Sequence, residues 1–361
     1  MTVAVLGTGL IGGSIGLALT KAGLTVRGFD THAAVAERAC ELGAIESVAA
    51  SVADAVAGAE VVIVAVPVGR IVELVVAALD AGVPAITDVG SVKAAVVDAV
   101  RAARPNLASR FVGGHPMAGS EQDGLDGADA DLFAGATWVL TPTGDTDPAA
   151  HTAVRGVIGR LGVEVVEIPP EQHDALVAVV SHVPQLAATT LMNVASGRDD
   201  RRELLMRLAA GGFRDMTRIA AGHPGIWPDI CVANRTAILE ALDAFQASLD
   251  EVRGLVDVGD ADALLDVLER GREARRNLPS GARVRGPLAE LRVPVPDRPA
   301  VLAEVTTMAG RLGVNILDIE IAHSIEGDGG VLVLVVPVSG AAAFEDALGQ
   351  AGYHVSRTDL S

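Results

Sequence analysis

The stretch Val3-Ala4-Val5-Leu6-Gly7-Thr8-Gly9-Leu10-Ile11-Gly12 decides the fold of the first part of the chain. Four apolar residues predict a buried strand, and a G-x-G-x-x-G loop follows it and opens a predicted helix. Gly7 permits a tight turn, Gly9 lets the backbone approach a pyrophosphate, and Gly12 lets helix and strand pack closely. The free N–H groups at the start of the helix would face the phosphates. The predicted cofactor-binding residues of this loop are Gly7, Thr8, Gly9, Leu10, Ile11 and Gly12.

Asp30 strengthens the prediction of a dinucleotide site. It ends a second predicted strand, Thr25 to Phe29, about 20 residues after the glycine loop. At that point a carboxylate can bond the 2′-hydroxyl of the adenosine ribose, and it would repel a 2′-phosphate. The sequence therefore favours NAD over NADP.

The first half of the chain alternates between strands and helices. Further apolar, β-branched runs at Val61 to Val66 and Pro84 to Thr87 are each followed by a helical pattern, and Trp138 to Thr141 and Val163 to Ile168 add later strands. Apolar strands that alternate with helices indicate a parallel sheet covered on both faces. We therefore predict an α/β Rossmann-type domain over residues 1–169.

The pattern changes twice after Pro169-Pro170. Residues 170–280 carry helical periodicity with almost no strand signal, which predicts an all-helical domain that ends in a basic linker around Pro279-Ser280-Gly281. Residues 288–361 read β-α-β-β-α-β, the ferredoxin-like α+β arrangement. The predicted helices and strands are Glu171 to Ser196, Arg201 to Ala210, Trp227 to Val258, Ala261 to Arg276, Leu291 to Val295, Ala300 to Leu312, Val314 to Ala322, Val331 to Val336, a helix from Ala341 and a strand near Tyr353 to Ser356.

Composition excludes several classes of protein. The net charge of −18 argues against nucleic acids and anionic membranes as partners, because both attract basic surfaces. Cys40 and Cys231 fit no metal spacing and no disulfide framework, so we expect no metal and a cytoplasmic location. The apolar run from Val61 to Ile86 is interrupted by proline and charged residues, so we expect no membrane span.

One histidine stands out as a candidate acid–base group. His115 lies in Gly113-Gly114-His115-Pro116-Met117-Ala118-Gly119-Ser120-Glu121, interpreted as a strand end followed by a loop whose glycines admit another molecule. Beside a cofactor loop, a lone histidine suggests hydride chemistry in which the imidazole takes a hydroxyl proton. The alternative is a packed histidine in a turn. In Asp88-Val89-Gly90-Ser91-Val92-Lys93, Ser91 could bond a ligand or cap the helix from Val92, and Lys93 is interpreted as a solvated charge.

Taken together, these motifs resemble the prephenate dehydrogenase family. Beyond the two segments just quoted, the resemblance rests on Glu171-Gln172-His173-Asp174, Ser181-His182-Val183-Pro184 and Gly211-Gly212-Phe213-Arg214-Asp215-Met216-Thr217-Arg218-Ile219-Ala220, and it covers about the first 280 residues. It implies NAD(P)-linked oxidation of the ring C4 alcohol of prephenate with loss of carbon dioxide, which gives 4-hydroxyphenylpyruvate in tyrosine biosynthesis. It also implies that His115 takes the hydroxyl proton, that Ser91 orients His115 and the hydroxyl, and that the chain forms a homodimer through the helical domain.

The same resemblance implies a set of substrate-binding residues. Arg218 would anchor a substrate carboxylate, since a guanidinium binds a carboxylate through two hydrogen bonds and stays charged. Asp215, three residues earlier, could fix that guanidinium or form a surface ion pair of little value. Ser181 and Gln185 lie one helical turn apart and could face one pocket, and Pro184 between them predicts a kink. Trp227 matches a tryptophan near the family's site, with a core anchor as the alternative, while His173 is expected to fix a helix start.

The last domain resembles an ACT domain, a small module that commonly binds amino acids. Asp297-Arg298-Pro299-Ala300 precedes its first helix, and the family usually has glycine where Ala300 stands. We expect tyrosine to bind here as an effector, with a structural dimerising module as the alternative.

Three other functions compete with this reading. Arogenate dehydrogenase performs the same chemistry with an amine in place of the keto group, and Gln185 is the residue to watch. A hydroxyacid-type dehydrogenase commonly uses a lysine of its helical domain as base, and this helical region has no lysine. A non-catalytic sensor of NAD and an amino acid would not need His115.

Overall fold

The architecture comes from a computed structural model of the 361-residue chain. The structure describes residues 1–119, 122, 124–197, 205, 208–278, 287–296, 298–323 and 329–360. Ser120 and Glu121, most of the helix predicted over Arg201 to Ala210, the linker at Pro279-Ser280-Gly281, and Asp297 lie outside these residues.

An eight-stranded sheet organises the first part of the chain. Its strands are β1 (Thr2–Leu6), β2 (Thr25–Phe29), β3 (Ser47–Val48), β4 (Val61–Val64), β5 (Ile86–Asp88), β6 (Phe111–Pro116), β7 (Thr137–Thr141) and β8 (Glu164–Glu167). The order is β3-β2-β1-β4-β5-β6-β7-β8; β1 to β6 are parallel, and β7 and β8 run the other way. Strand order reverses beside β1, so ligands are expected beyond the carboxyl ends of these strands.

Helices cover both faces of this sheet. They are α1 (Leu10–Lys21), α2 (Ala33–Glu41), α3 (Val52–Val56), α4 (Val68–Asp80), α5 (Ala94–Ala103) and α6 (Pro148–Ile158). Alternate residues of β1 and β4 supply two separate apolar cores, one on each face. Because every residue of β4 is buried, the strand reads as a continuous apolar run in the sequence.

Helices dominate from Pro170 onward. The first is distorted just before Pro184, where the sequence predicts a kink, and the helix predicted from Trp227 is interrupted. The α-helix α7 (Pro170–Val177) passes through a π-helical segment, Ala178–His182, into α8 (Val183–Ser196). Proline lacks the N–H that would continue α-helical bonding, so Pro184 accounts for a distortion in the turn before it. The segment predicted as one helix from Trp227 divides at Asn234. The later helices are α9 (Gly211–Thr217), α10 (Trp227–Ala233), α11 (Arg235–Val258) and α12 (Ala261–Arg276).

The last part of the chain forms a small antiparallel sheet with two helices. Its elements are β9 (Leu288–Pro296), α13 (Val301–Arg311), β10 (Asp318–His323), β11 (Gly329–Pro337), α14 (Val338–Gln350) and β12 (Ser356–Leu360). The strand order is β10-β11-β9-β12, and the alternate residues of β9 that are buried pack with both helices in a core of their own.

By packing, the chain divides into two compact units. The first comprises Met1–Met192 with Ile219–Leu264, and the second comprises Asn193–Arg218 with Leu265–Ser361. Much of the helical region therefore packs with the large sheet, whereas the sequence predicts it as a separate domain, and the three-domain division stays a prediction.

One continuous helix among the described residues, Pro170–Ser196, is long and apolar enough to cross a membrane by length and composition alone. A core helix of a soluble protein passes the same test. This helix carries His173 and His182 buried inside the protein, where both hydrogen-bond to side chains of the first unit.

Candidate active site

The glycine loop has the form that a pyrophosphate requires. Gly7 adopts a φ of +94°, and a Cβ there would lie 2.3 Å from the carbonyl of Ala65. A Cβ on Gly12 would lie 1.9 Å from the carbonyl of Gly7, so the helix can pack here only with glycine. A Cβ on Gly9, the residue before α1, would have nothing within 4 Å. The three glycines thus differ in their surroundings: Gly7 and Gly12 pack closely against backbone, whereas Gly9 faces open space at the helix N-terminus, where phosphate groups could bind.

Asp30 is held beside this loop. Its Oδ2 accepts the Thr8 N–H at 2.9 Å, and its Oδ1 accepts the His32 N–H at 2.9 Å. The carboxylate retains acceptor capacity for a ribose hydroxyl. The loop and Asp30 together fit a dinucleotide that lacks a 2′-phosphate, as the sequence predicts.

A buried ion pair joins the ends of β5 and β6 close to His115. Lys93 is fully buried, and its ammonium contacts the Asp88 carboxylate and donates to the Gly114 carbonyl at 2.8 Å. Asp88 also accepts the N–H groups of Gly90 at 2.9 Å and Gly114 at 3.0 Å. The interpretation of Lys93 as a solvated charge is therefore wrong, because its charge is compensated inside the protein.

The glycines before His115 accommodate the protein itself rather than a ligand. A Cβ on Gly113 would lie 3.2 Å from Cδ of Lys93, and one on Gly114 would lie 2.6 Å from the Asp88 carbonyl. The expectation that these two glycines admit another molecule is corrected: they let the lysine stem and the end of β5 pack against β6. At Gly119, farther along the chain, a Cβ would have nothing within 4 Å.

His115 is the second-to-last residue of β6 and lies half-buried at the carboxyl end of the sheet, the same edge as the glycine loop. Its Nδ1 lies 2.8 Å from Nε2 of His173, and the two rings meet edge to face. The Nδ1 atom of His173 lies 2.8 Å from Oδ1 of Asp174. Two further side chains, His173 and Asp174, thus fix the orientation of His115.

The surroundings of His115 favour its neutral form. Burial lowers its pKa well below the usual 6.5, and the neighbouring His173, Lys93 and His182 lower it further. A neutral imidazole at physiological pH can accept a proton, which is what a general base must do.

Asp174 also determines where helix α5 begins. Its carboxylate accepts the N–H groups of Lys93 at 2.8 Å and Ala94 at 2.9 Å, the first free donors of that helix. The predicted cap by Ser91 and the predicted start at Val92 are wrong, since the helix begins at Ala94 and is capped by a carboxylate distant in sequence. Among the described residues Ser91 makes no hydrogen bond to His115; His173 makes that contact instead.

The segment Ser181–Gln185 lies in the same unit as His115. His182 is buried, its Nδ1 lies 3.2 Å from the Asn234 amide, and its ring meets Trp227 edge to face. Burial lowers the pKa of His182 to about 4. Gln185 is buried and Ser181 is half-buried, and Trp227 is half-buried as well.

Asp215 and Arg218 belong to the second unit. Both are exposed, at the end of α9 and the start of the 3₁₀ turn Arg218–Ala221. Their roles toward a substrate stay predictions.

Three residues of the site were not assigned from the sequence: Asp88, Asp174 and Asn234. The burial of Lys93 could have been suspected from the sequence, since only two of the 28 basic residues, Lys21 and Lys93, are lysine. A chain that otherwise uses arginine places a lysine five residues after an aspartate that ends a buried strand. Asn234 donates to the backbone carbonyl of Asp174 at 2.9 Å, a contact over 60 residues that no local pattern signals.

Comparison with known proteins identifies the family. Residues 15–167 match the prephenate dehydrogenase nucleotide-binding domain, and residues 169–270 match the prephenate dehydrogenase dimerization domain. The chain is 36% identical over 339 residues to prephenate dehydrogenase of Bacillus subtilis, which covers 92% of this chain and 91% of that protein. These 339 residues exceed the span of the two family domains, so the likeness extends into the C-terminal sheet.

Two solved structures share the fold. Prephenate dehydrogenase from A. aeolicus, in complex with hydroxyphenyl propionate and NAD+, is 30% identical with a TM-score of 0.71, over 77% of this chain and 98% of that one. Synechocystis arogenate dehydrogenase is 29% identical with a TM-score of 0.67, over 76% and 99%. With the dinucleotide loop, the neutral histidine at the same sheet edge and the two matched domains, this chain belongs to the prephenate dehydrogenase family.

Proposed function

We infer that this chain is an NAD-dependent prephenate dehydrogenase, which converts prephenate to 4-hydroxyphenylpyruvate and carbon dioxide. The observation that carries this function is the neutral imidazole of His115 at the carboxyl edge of the sheet that bears the glycine loop. The B. subtilis relative, similar over nearly the whole chain, is a prephenate dehydrogenase, and the A. aeolicus relative was solved with NAD+ and hydroxyphenyl propionate.

NAD, held at Gly7–Gly12 and Asp30, supplies the hydride acceptor. His115 accepts the proton of the ring C4 hydroxyl while the hydride leaves the same carbon. Departure of the ring carboxylate as carbon dioxide then leaves its electron pair in the ring, which becomes aromatic, and the phenolate oxygen takes back a proton to give the phenol. The base must be neutral before the reaction, and burial, followed by the nearby His173 and Lys93, lowers the pKa of His115 in the direction that this requires. Ser91 is proposed to bond the same hydroxyl.

Substrate recognition requires positive charge, because prephenate carries two carboxylates and the chain carries a net charge of −18. We assign Arg218 to a substrate carboxylate, since a guanidinium keeps its charge when water is displaced. Asp215, Ser181, Gln185 and Trp227 complete the proposed substrate-binding set. Replacement of Arg218 by alanine should mainly raise KM, because it removes a binding charge.

The decisive assay follows reduced nicotinamide by absorbance with prephenate and arogenate, each with NAD and NADP. We expect the highest kcat/KM with prephenate and NAD. His115→Asn should keep NAD affinity and lower kcat by about 10²–10⁴-fold. Unchanged turnover of His115→Asn would refute the acid–base role and favour an NAD-binding sensor.

Arogenate is the second candidate substrate. The Synechocystis relative is an arogenate dehydrogenase, and Gln185 is a neutral amide where some relatives carry histidine. A neutral side chain attracts the keto acid side chain of prephenate less than a cation would. A larger kcat/KM with arogenate than with prephenate would establish this alternative.

The dimerization domain match supports a homodimer. Helix α11 buries only Ile238 fully, while Phe245, Leu249 and Val256, which share one face of the helix, are 39 to 62% exposed. An exposed apolar stripe of this kind marks an interaction surface, and we propose a second copy of the chain as its partner. Light scattering on the purified protein should give about twice the 36.8 kDa of one chain, and a single-chain mass would exclude the dimer.

The C-terminal sheet is proposed to act as an ACT-like regulatory module that binds tyrosine. A cavity of about 640 Å³ opens beside Ala300 and Tyr353. At this cavity Glu304 is paired with the Arg298 guanidinium at 2.6 and 2.8 Å and accepts the Tyr353 hydroxyl at 2.8 Å. Arg298 lowers the pKa of Glu304 to about 2. A tyrosine carboxylate would have to compete with Glu304 for this guanidinium.

Ala300 adopts a left-handed φ of +72° at the start of α13, which explains why the family favours glycine there. Calorimetry with tyrosine should show binding to the wild-type chain, and Arg298→Ala should abolish it. No heat of binding, together with unaltered kinetics at saturating tyrosine, would exclude tyrosine as an effector.

The cytoplasmic location expected from the sequence also stays a prediction.

A further inference from the structure

His173 and Asp174 hold the ring of His115, and neither belongs to the proposed substrate-binding set. We propose that they are positioning residues which fix the tautomer of His115, so that its Nε2 is the atom that accepts a proton. The proposal rests on the proposed function, in which His115 is the base. It is argued from three consecutive contacts, each of 2.8 Å.

The carboxylate of Asp174 sets the direction of the whole chain of hydrogen bonds. It accepts the N–H groups of Lys93 and Ala94 at the N-terminus of α5. Two backbone donors and the positive end of a helix dipole stabilise a negative charge, so Asp174 is ionised. An ionised carboxylate can only accept hydrogen bonds.

The proton on His173 follows from that charge. Its Nδ1 lies 2.8 Å from Asp174 Oδ1 and must therefore carry the hydrogen. A second proton would place another cation in a fully buried ring, in a network that already contains the buried Lys93 ammonium. His173 is therefore neutral, and its Nε2 bears a lone pair.

The tautomer of His115 is then determined. Its Nδ1 faces the lone pair of His173 Nε2 at 2.8 Å, so the hydrogen between them belongs to His115 Nδ1. A neutral imidazole carries one ring hydrogen, and Nε2 of His115 is left as an acceptor. Without His173 the ring could carry its hydrogen on either nitrogen, and only one of those forms is a base at Nε2.

The same contacts stabilise the ring after the reaction. When Nε2 takes the hydroxyl proton, His115 becomes an imidazolium, and its Nδ1–H donates a charge-assisted hydrogen bond to His173. Through His173 this positive charge is linked to the Asp174 carboxylate. The proton itself moves only from the substrate oxygen to Nε2, as in hydrolase triads whose carboxylate orients the histidine and takes up no proton.

Asp174→Asn tests the proposal because it reverses the direction of the relay. The amide NH₂ would donate to Nδ1 of His173, so His173 would donate from Nε2 to His115, and His115 would hold its hydrogen on Nε2. The amide oxygen, in the place of Oδ2, would still accept the Ala94 N–H, whereas the Lys93 N–H would lose the Oδ1 atom that it now shares with His173. We expect kcat to fall by about 10–10³-fold, less than the roughly 10⁴-fold loss for a carboxylate that bonds its histidine directly, with KM and NAD affinity within about twofold.

Asp147→Asn is the matched control. Asp147 caps α6 by accepting the N–H groups of Ala149 at 2.7 Å and Ala150 at 3.3 Å, and among the described residues no histidine ring hydrogen-bonds to its carboxylate. The same substitution there should leave kcat unchanged. Among variants of His173, glutamine can accept from His115 and donate to Asp174, so His173→Gln should retain at least about tenfold more kcat than His173→Leu.

Nitrogen NMR of histidine-labelled protein without substrate reads the tautomer directly, and His115→Asn assigns the His115 signals. In the wild type we expect a protonated Nδ1 and an unprotonated Nε2 on His115, and the reverse in Asp174→Asn. A wild-type His115 protonated on Nε2, or kcat unchanged in Asp174→Asn, would overturn the proposal. If Asp174→Asn does not fold, the wild-type spectrum and the His173 pair still decide. Absence of prephenate oxidation by the wild type would refute the proposed function, whatever the tautomer.

Discussion

Replacement of Lys93 by methionine should destabilise the first unit without removing bulk from its core. Methionine is unbranched and similar in length, so it fills the space of the lysine stem beside Gly113. The change removes the ammonium and leaves the Asp88 carboxylate fully buried without its cation. Among the described residues, the N–H groups of Gly90 and Gly114 are the hydrogen-bond donors that this carboxylate keeps.

The magnitude follows from this uncompensated charge. Removal of one partner of a buried ion pair costs about 3–5 kcal/mol. Because two backbone donors remain at 2.9 and 3.0 Å, we expect the lower end of that range. For a folding unit of this size, ~3 kcal/mol corresponds to a fall of roughly 6–12 °C in the thermal midpoint. The assay is scanning calorimetry of the full chain. The transition that belongs to the first unit is identified as the one at which NAD binding is lost.

Two further variants make the result interpretable. Lys21→Met replaces the other lysine, which is 65% exposed and paired with Asp131 at the surface, and it should leave the midpoint nearly unchanged. Asp88→Asn combined with Lys93→Met removes both charges and should recover most of the lost stability, because an amide oxygen can still accept from Gly114. A midpoint of Lys93→Met within about 2 °C of wild type, or a double variant less stable than Lys93→Met alone, would refute the reasoning.

Three more predictions concern the cofactor loop and the histidines. The fall of kcat/KM at acid pH should have its midpoint below pH 6.5, because burial, His173, Lys93 and His182 lower the pKa of His115. Lys93→Met should move this midpoint to higher pH. A wild-type midpoint above pH 6.5 would contradict the prediction. Gly9→Ala should leave the thermal midpoint unchanged and raise the Kd for NAD by about tenfold or more. Gly12→Ala should lower the thermal midpoint, because its Cβ would lie 1.9 Å from the Gly7 carbonyl. Equal midpoints of Gly12→Ala and wild type by calorimetry would show that the loop relaxes to accept the Cβ. The free energy of unfolding, measured by denaturant titration, should decrease as the pH is lowered from 6.5 to about 4, because His182 takes up a proton in the unfolded chain but stays neutral while it is buried. His182→Gln should weaken this pH dependence. If the dependence is the same in the variant, His182 is not its source.

Local patterns were sufficient for the large sheet and the cofactor loop. The strand at Thr25–Phe29 and the helix at Ala261–Arg276 have the predicted bounds, because continuous apolar runs and helical periodicity report burial directly. Strand β6 was only partly recognised, since two of its six residues are glycine. Its glycines are explained by Lys93 and Asp88, which lie 20 and 26 residues away in sequence from Gly113 and Gly114 respectively.

The histidines show the limit of prediction for the candidate site. His115 was identified as a base from its motif and its place after a cofactor loop. His173 was expected to fix a helix start, and its contact with a histidine 58 residues earlier has no local signature. Hydrogen-bond partners distant in sequence depend on how strands and helices pack, and a single sequence does not report that packing.

The sequence by itself determined the dinucleotide loop, the alternation of strands and helices, and the histidine in its motif, because each depends on residue type and spacing over a few turns of chain. The tertiary structure alone decided that Lys93 is buried against Asp88, that Asp174 caps helix α5, and that His115 is oriented by His173. These contacts join segments up to 81 residues apart. They form because burial leaves a charged or polar group no partner except another group brought to it by the fold.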